Sequence, residues 1–244
     1  TLAWAIDKVT NGRTSMIRVL NRRIRVGAAL LATSGLVLSG LSAQAADAPG
    51  VTKDTITLGM TSAQSGAASP GYNKVGPAMK AYFDYVNANG GVFGRKITLV
   101  SKDDQYIPTT AVAKANELIL RDKVFALVGT LGTASTKALT SSTQLSKRGI
   151  PSLFVNTGWS GFADKKAYPT TFAILPSYQM EAKIIAKYVK DKFPGKKLAL
   201  IYQDDDFGRD ALAGFKTAGL TFDTTIGYAS GSQALPATGA GWIT

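Results

Sequence analysis

Six short apolar runs and one threonine-rich run between residues 55 and 226 alternate with stretches whose apolar residues recur every three or four positions. TITLGM (55–60), ITLV (97–100), VFALV (124–128), SLFV (152–155), FAIL (172–175), LALIY (198–202) and TFDTTI (221–226) have the length and make-up of strands. Parallel neighbours need a long crossover between them, and a helix supplies it. Strict alternation of this kind therefore predicts an α/β fold built on parallel sheets with right-handed crossovers. VFALV is apolar without alternation, as a strand covered on both faces should be. The pattern restarts after about residue 170, without a repeat in sequence. It divides the chain into a first α/β lobe (46–170) and a partial second lobe (171–244).

The intervening helices carry their own signals. Met79, Tyr82, Phe83 and Val86 form one apolar face that ends at Asn89-Gly90-Gly91. Pro108-Thr109 opens a second helix with Val112, Ala115 and Ile119 on one side. A third is expected to run from the 129–135 stretch to about Lys147. Ile184, Ile185, Tyr188 and Val189 mark the expected buried face of a fourth, and a fifth begins near Phe207. LALIY is expected to be a buried strand. The last residues, 227–244, lose periodicity and read as an aberrant tail.

The front of the chain reads as an address. Arg18, Arg22, Arg23 and Arg25 precede an apolar, small-residue run (26–41) and the small-x-small pattern Ala43-Gln44-Ala45. This is the plan of a secretory signal peptide (16–45), with cleavage expected after Ala45 and a periplasmic destination. The 16-residue run is shorter than the ~20 residues a spanning helix needs. Residues 1–15 precede the natural start of such a signal at Met16 and read as a non-native extension.

The full sequence contains no cysteine and no histidine. That removes Cys/His zinc sites, Cys-His nucleophiles and the Ser-His-Asp arrangement. The formal charge of +12 includes six basic residues in the first 45, against Asp7 alone. The remaining lysines are spread over helix faces rather than clustered among exposed aromatics, which speaks against a nucleic-acid partner. No metal or other cofactor is expected.

In a parallel sheet, ligands sit beyond the carboxyl ends of the strands. Three such loops stand out: 129–135, 156–161 and 203–208. The first, GTLGTAS, lacks the lysine of a phosphate-binding loop and the spacing of G-x-G-x-x-G. It is expected to turn a strand into a helix with free N–H groups and hydroxyls facing outward. There Thr133 either caps the helix with its own oxygen or lends its hydroxyl to an anion. In the second loop Trp159 either floors an apolar pocket or packs inside. In the third, Asp204, Asp205 and Asp206 read as a helix cap and solvated charges rather than a metal site. Asp103-Asp104 reads as a turn rather than an acid/base pair.

Six motifs in order, SGAAS (65–69), NANGGVFGRKI (87–97), KDDQYIPTTAVAKANELI (102–119), VFALVGTLGTAST (124–136), KRGIPSL (147–153) and LIYQDDDFGRD (200–210), resemble the branched-chain amino acid type of periplasmic solute-binding protein. The resemblance covers about residues 51–226 and implies the type I fold: two Rossmann-like lobes, the second incomplete here because family chains run further. It implies a non-enzymatic receptor that takes a branched-chain amino acid or related small carboxylate between the lobes. An ABC permease in the inner membrane would be its partner. Carried over, Thr133 grips the ligand carboxylate, with Ala134 beside it. Asn156 offers a backbone carbonyl to an ammonium group, with Thr157 next in the loop. Gly158 stands where amino-acid binders carry a threonine, and Trp159 follows it. Phe207 replaces a tyrosine. The two lost hydroxyls favour a flatter, more apolar carboxylate, so an aromatic-acid receptor or a periplasmic sensor on the same fold is the alternative; an enzyme on a Rossmann-like sheet ranks behind both, for want of phosphate motifs, His and Cys.

Overall fold

The computed structural model describes residues 48–232. The expected extension, signal peptide and cleavage point, and residues 233–244 of the expected tail, lie outside the described residues; Gly227 and Tyr228, expected to belong to that aperiodic tail, instead complete a strand paired with Tyr202 and Gln203.

Five parallel strands form the main sheet: β1 (Thr55–Ser62), β2 (Lys96–Asp103), β3 (Ala126–Val128), β4 (Ser152–Val155) and β5 (Thr171–Ala173), in the order β2-β1-β3-β4-β5. A second parallel pair joins β6 (Ala199–Gln203) to β7 (Thr224–Tyr228). The helices are α1 (Val75–Ala88), α2 (Pro108–Asn116), α3 (Thr133–Ser142), α4 (Leu145–Arg148), α5 (Tyr178–Lys192) and α6 (Asp206–Thr217). A π-helical turn, Glu117–Arg121, continues α2. The expected α/β class is thus present.

The core of the first sheet is built by Leu118, Val124, Leu127, Leu139 and Leu145, all fully or almost fully buried against Ala111 and Ala115. β3 is buried at every residue, as its unbroken apolar run implies.

Several expectations need correction. The strand expected to open the second lobe at 172 is β5, and it pairs with β4, so the change of sheet comes after Ala173 rather than at 171. The third helix stops at Ser142. Gln144 adopts a left-handed conformation (φ 55°), and the short α4 then restarts the coil. In α1, Met79, Phe83 and Val86 are half-buried as expected, but Tyr82 is exposed.

The apolar face of α5 is reversed. Ala182 and Ala186 are buried, while Ile184, Ile185 and Tyr188 are exposed. The cause lies in α6. A Cβ on Gly214 would stand 2.6 Å from the Gln179 backbone and 2.8 Å from the Ala182 Cβ. The two helices meet through small residues, and the large side chains are turned away. β6 is likewise not buried: its exposure alternates and Ile201 is 48% exposed.

Candidate functional site

The strand order places a topological switch between β1 and β3, which leave the sheet in opposite directions of winding. In open parallel sheets such a switch marks the carboxyl edge where ligands bind. The loop after β1 is fastened to the end of β2: the N–H groups of Gln64 and Ser65 both donate to Asp103. Burial alone would raise the Asp103 pKa. The Ser65 hydroxyl and three backbone N–H groups outweigh it and hold the carboxyl below the usual range.

Asp104 is 1% exposed and accepts from the Thr61 hydroxyl (2.9 Å) and the Tyr106 N–H (2.9 Å). Burial pushes its pKa up, with repulsion from Asp103 adding to the effect. A raised folded-state pKa contributes stability that is complete below the unfolded value near 3.8 and is lost as pH rises through the folded value. Asp104→Asn keeps both contacts and removes the charge. It is expected to melt above the wild type at pH ~7, with the advantage shrinking as pH falls toward ~4, measured by circular dichroism. The pair thus organises a turn, as expected.

The 129–135 loop ends on Gly132, which is the N-cap of α3 at φ 89°. Thr133 is therefore the first helical residue and not the cap, and no side chain caps this helix. Nor does the Thr133 hydroxyl face outward. Its side chain is 1% exposed, and Oγ1 lies 2.6 Å from Thr157 Oγ1. Thr157 in turn accepts from the Trp159 N–H (3.2 Å). With that N–H feeding Thr157, a consistent orientation has Thr157 donating to Thr133, which frees the Thr133 proton for an anion. The first-turn N–H groups of Thr133, Ala134 and Ser135 have no acceptor within the helix, a property of every helix start. Together with the α3 dipole they suit a carboxylate.

Asn156 closes the other side of the loop. Its carbonyl accepts from the Gly132 N–H (3.2 Å), and its N–H donates to the Thr130 carbonyl (2.8 Å). The Asn156 oxygen keeps a second lone pair. Gly158 cannot be a threonine in this backbone. A Cβ there would run into the Pro176 carbonyl oxygen and touch the Tyr178 ring at 3.0 Å. The Tyr178 ring packs on Phe207 (centroids 4.8 Å apart), so Phe207 and Gly158 meet through Tyr178. The hydroxyls missing at Gly158 and Phe207 thus have neighbours in Thr157 and Tyr178.

Trp159 packs edge-on against Phe162 (5.0 Å) and Tyr168 (5.8 Å). It borders a groove of ≈ 240 Å³ whose lining includes neither Thr133 nor Phe207. The Lys137 ammonium stands 4.2 Å from the Trp159 ring centroid and pairs with Asp206 at the start of α6. Both partners are partly exposed, so the pair is worth at most ~1 kcal/mol. Lys137→Met is expected to shift the melting temperature by only a few degrees and to flatten its dependence on salt over ~0.01–1 M.

Asp205 is the N-cap of α6 and accepts from the Phe207 N–H (2.9 Å), while Asp204 pairs with Arg209. Asp210 is 7% exposed and accepts from the Ser160 N–H (2.8 Å), the Ser160 hydroxyl (2.6 Å) and Gln179 Nε2 (2.8 Å). No cluster of metal-ligating side chains occurs among the described residues. Tyr106, Lys137, Tyr178, Gln203 and Asp210 were not legible as part of this region. The rule of the carboxyl edge, applied to the loop after β2, would have reached Tyr106.

A family model described as a periplasmic binding protein matches residues 55–233. An amino acid binding protein of Pseudomonas aeruginosa is 30% identical over 125 residues, covering 51% of this chain and 32% of that protein. The Leu/Ile/Val-binding protein BraC3 of Rhizobium johnstonii is 26% identical over 161 residues, covering 66% and 43%. The isoleucine complex of the branched-chain amino acid transporter substrate-binding protein LivJ of Streptococcus pneumoniae superposes with a TM-score of 0.66 at 23% identity, covering 76% of this chain and 53% of that one. The chain thus spans less than half the length of these two curated relatives, and with a family model matched over residues 55–233 it belongs to the periplasmic binding protein family.

Proposed function

We propose that the chain is the substrate-binding component of an ABC importer. It takes a branched-chain amino acid or related small carboxylate between two lobes in the periplasm and presents it to an inner-membrane permease, without chemistry. The observation that carries this reading is the buried hydroxyl pair of Thr133 and Thr157, to which the Trp159 N–H donates, beside the open first turn of α3. Thr133 is buried while Lys137 and Asp206 tie α3 to α6, so the ligand enters only when these contacts part. Ligand affinity for the closed form then shifts the open–closed equilibrium toward closure, by no more than its preference for that form.

An aromatic carboxylate is the second reading. Asp103, Asp104, Asp205, Asp206 and Asp210 each already accept from a donor, so none of these five waits unpaired for a ligand's ammonium group. The rings of Tyr106, Tyr178 and Phe207 stand around the same edge.

Thermal-shift screening of the chain against leucine, isoleucine, valine and benzoate, followed by calorimetry, tests both readings. A stabilisation of several degrees by an aliphatic amino acid supports the first reading, and one by benzoate alone supports the second. No shift with any carboxylate contradicts both.

A further inference from the structure

Tyr106 follows β2 at the carboxyl edge and, with Gln105, adopts a left-handed backbone conformation (φ 64° and 56°). Side chains other than glycine rarely hold that conformation, and it persists where the surroundings impose it. Here two carboxylates impose it: Asp103 accepts from the Gln105 N–H (3.0 Å) and Asp104 from the Tyr106 N–H (2.9 Å). The result is a ring laid against Gly132, the N-cap of α3, where any Cβ would overlap it and stand 3.1 Å from Cζ.

The same side chain reaches the second sheet. Its hydroxyl faces the side chain of Gln203, the last residue of β6. Gln203 Nε2 donates to Asp205 (2.6 Å), and Asp205 caps α6 through the Phe207 N–H. Tyr106 therefore spans from the start of the anion-receiving helix to the helix that carries Phe207. Burial pushes its pKa up to about 12, with the nearby Gln203 opposing the shift.

We propose that Tyr106 is the specificity-determining wall of the carboxylate site: its ring limits the bulk of the ligand beyond the α3 N-terminus, and its hydroxyl sets the spacing to the second sheet. The inference rests on the carboxylate reading above and adds the residue that selects by size.

The test is calorimetry of the chain with benzoate and 2-naphthoate, and with valine and phenylalanine, for the wild type, Tyr106→Phe, Tyr106→Leu and Tyr106→Ala. Tyr106→Ala is expected to shift the affinity ratio toward the bulkier acid of the binding pair by about fivefold or more. Tyr106→Leu should shift it in the same direction by less, and it serves if the alanine variant does not fold. Tyr106→Phe should preserve the ratio while weakening both acids by at most about threefold, through loss of the hydroxyl that faces Gln203. An equal loss for both acids in the alanine and leucine variants, or no change in either, overturns the inference and leaves the carboxylate reading standing. Failure of the wild type to bind any of the four overturns both.

Discussion

Thr133→Ala is expected to weaken carboxylate binding by about tenfold or more. One charge-assisted hydrogen bond contributes ~1.5–3 kcal/mol, and tenfold in affinity corresponds to ~1.4 kcal/mol. The loss comes from two sources. The hydroxyl that would reach the ligand is gone, and Thr157 keeps only its contact with the Trp159 N–H. Thr140→Ala is the matched control, because Thr140 is a buried threonine of the same helix that lies two turns further on. Calorimetry should find its affinity unchanged. Equal affinities for the wild type and Thr133→Ala would remove Thr133 from the site.

Gly158→Thr is expected to destabilise the chain by about 2–3 kcal/mol, as overpacking does, and not to restore an amino-acid-binding hydroxyl. The Pro176 carbonyl that blocks a Cβ belongs to the backbone, and the Tyr178 N–H is held by the Gly158 carbonyl at 2.7 Å. Neither can give way without moving the start of α5. Urea titration monitored by circular dichroism measures the change. A variant as stable as the wild type, with gained affinity for leucine, would mean that the loop relaxes and that Gly158 is only a lost contact.

How far the sequence reaches depends on what each element asks of its residues. β3 was legible because both faces are covered, so every position is apolar. The loops after β3, β4 and β6 were legible because glycines and hydroxyls interrupt apolar runs there. α5 misled because the large residues Ile184, Ile185 and Tyr188 give a stronger period than the alanines that pack. A glycine on another helix, Gly214, decided the face, and no local pattern carries that fact. Gln144, Gln105 and Tyr106 escaped for a related reason: residues other than glycine at positive φ announce nothing in sequence. The sequence places Thr157 in a loop, but its partnership with Thr133, 24 residues away, is a tertiary contact.

The central claim is that the first turn of α3 and the Thr133 hydroxyl receive the ligand's negative group. A crystal structure of the chain with the best-binding carboxylate from the thermal-shift screen tests it directly. The account predicts carboxylate oxygens within hydrogen-bond distance of Thr133 Oγ1 and of the N–H groups of Thr133, Ala134 or Ser135. A carboxylate paired with Lys137, lodged in the groove beside Trp159, or turned to solvent would contradict it.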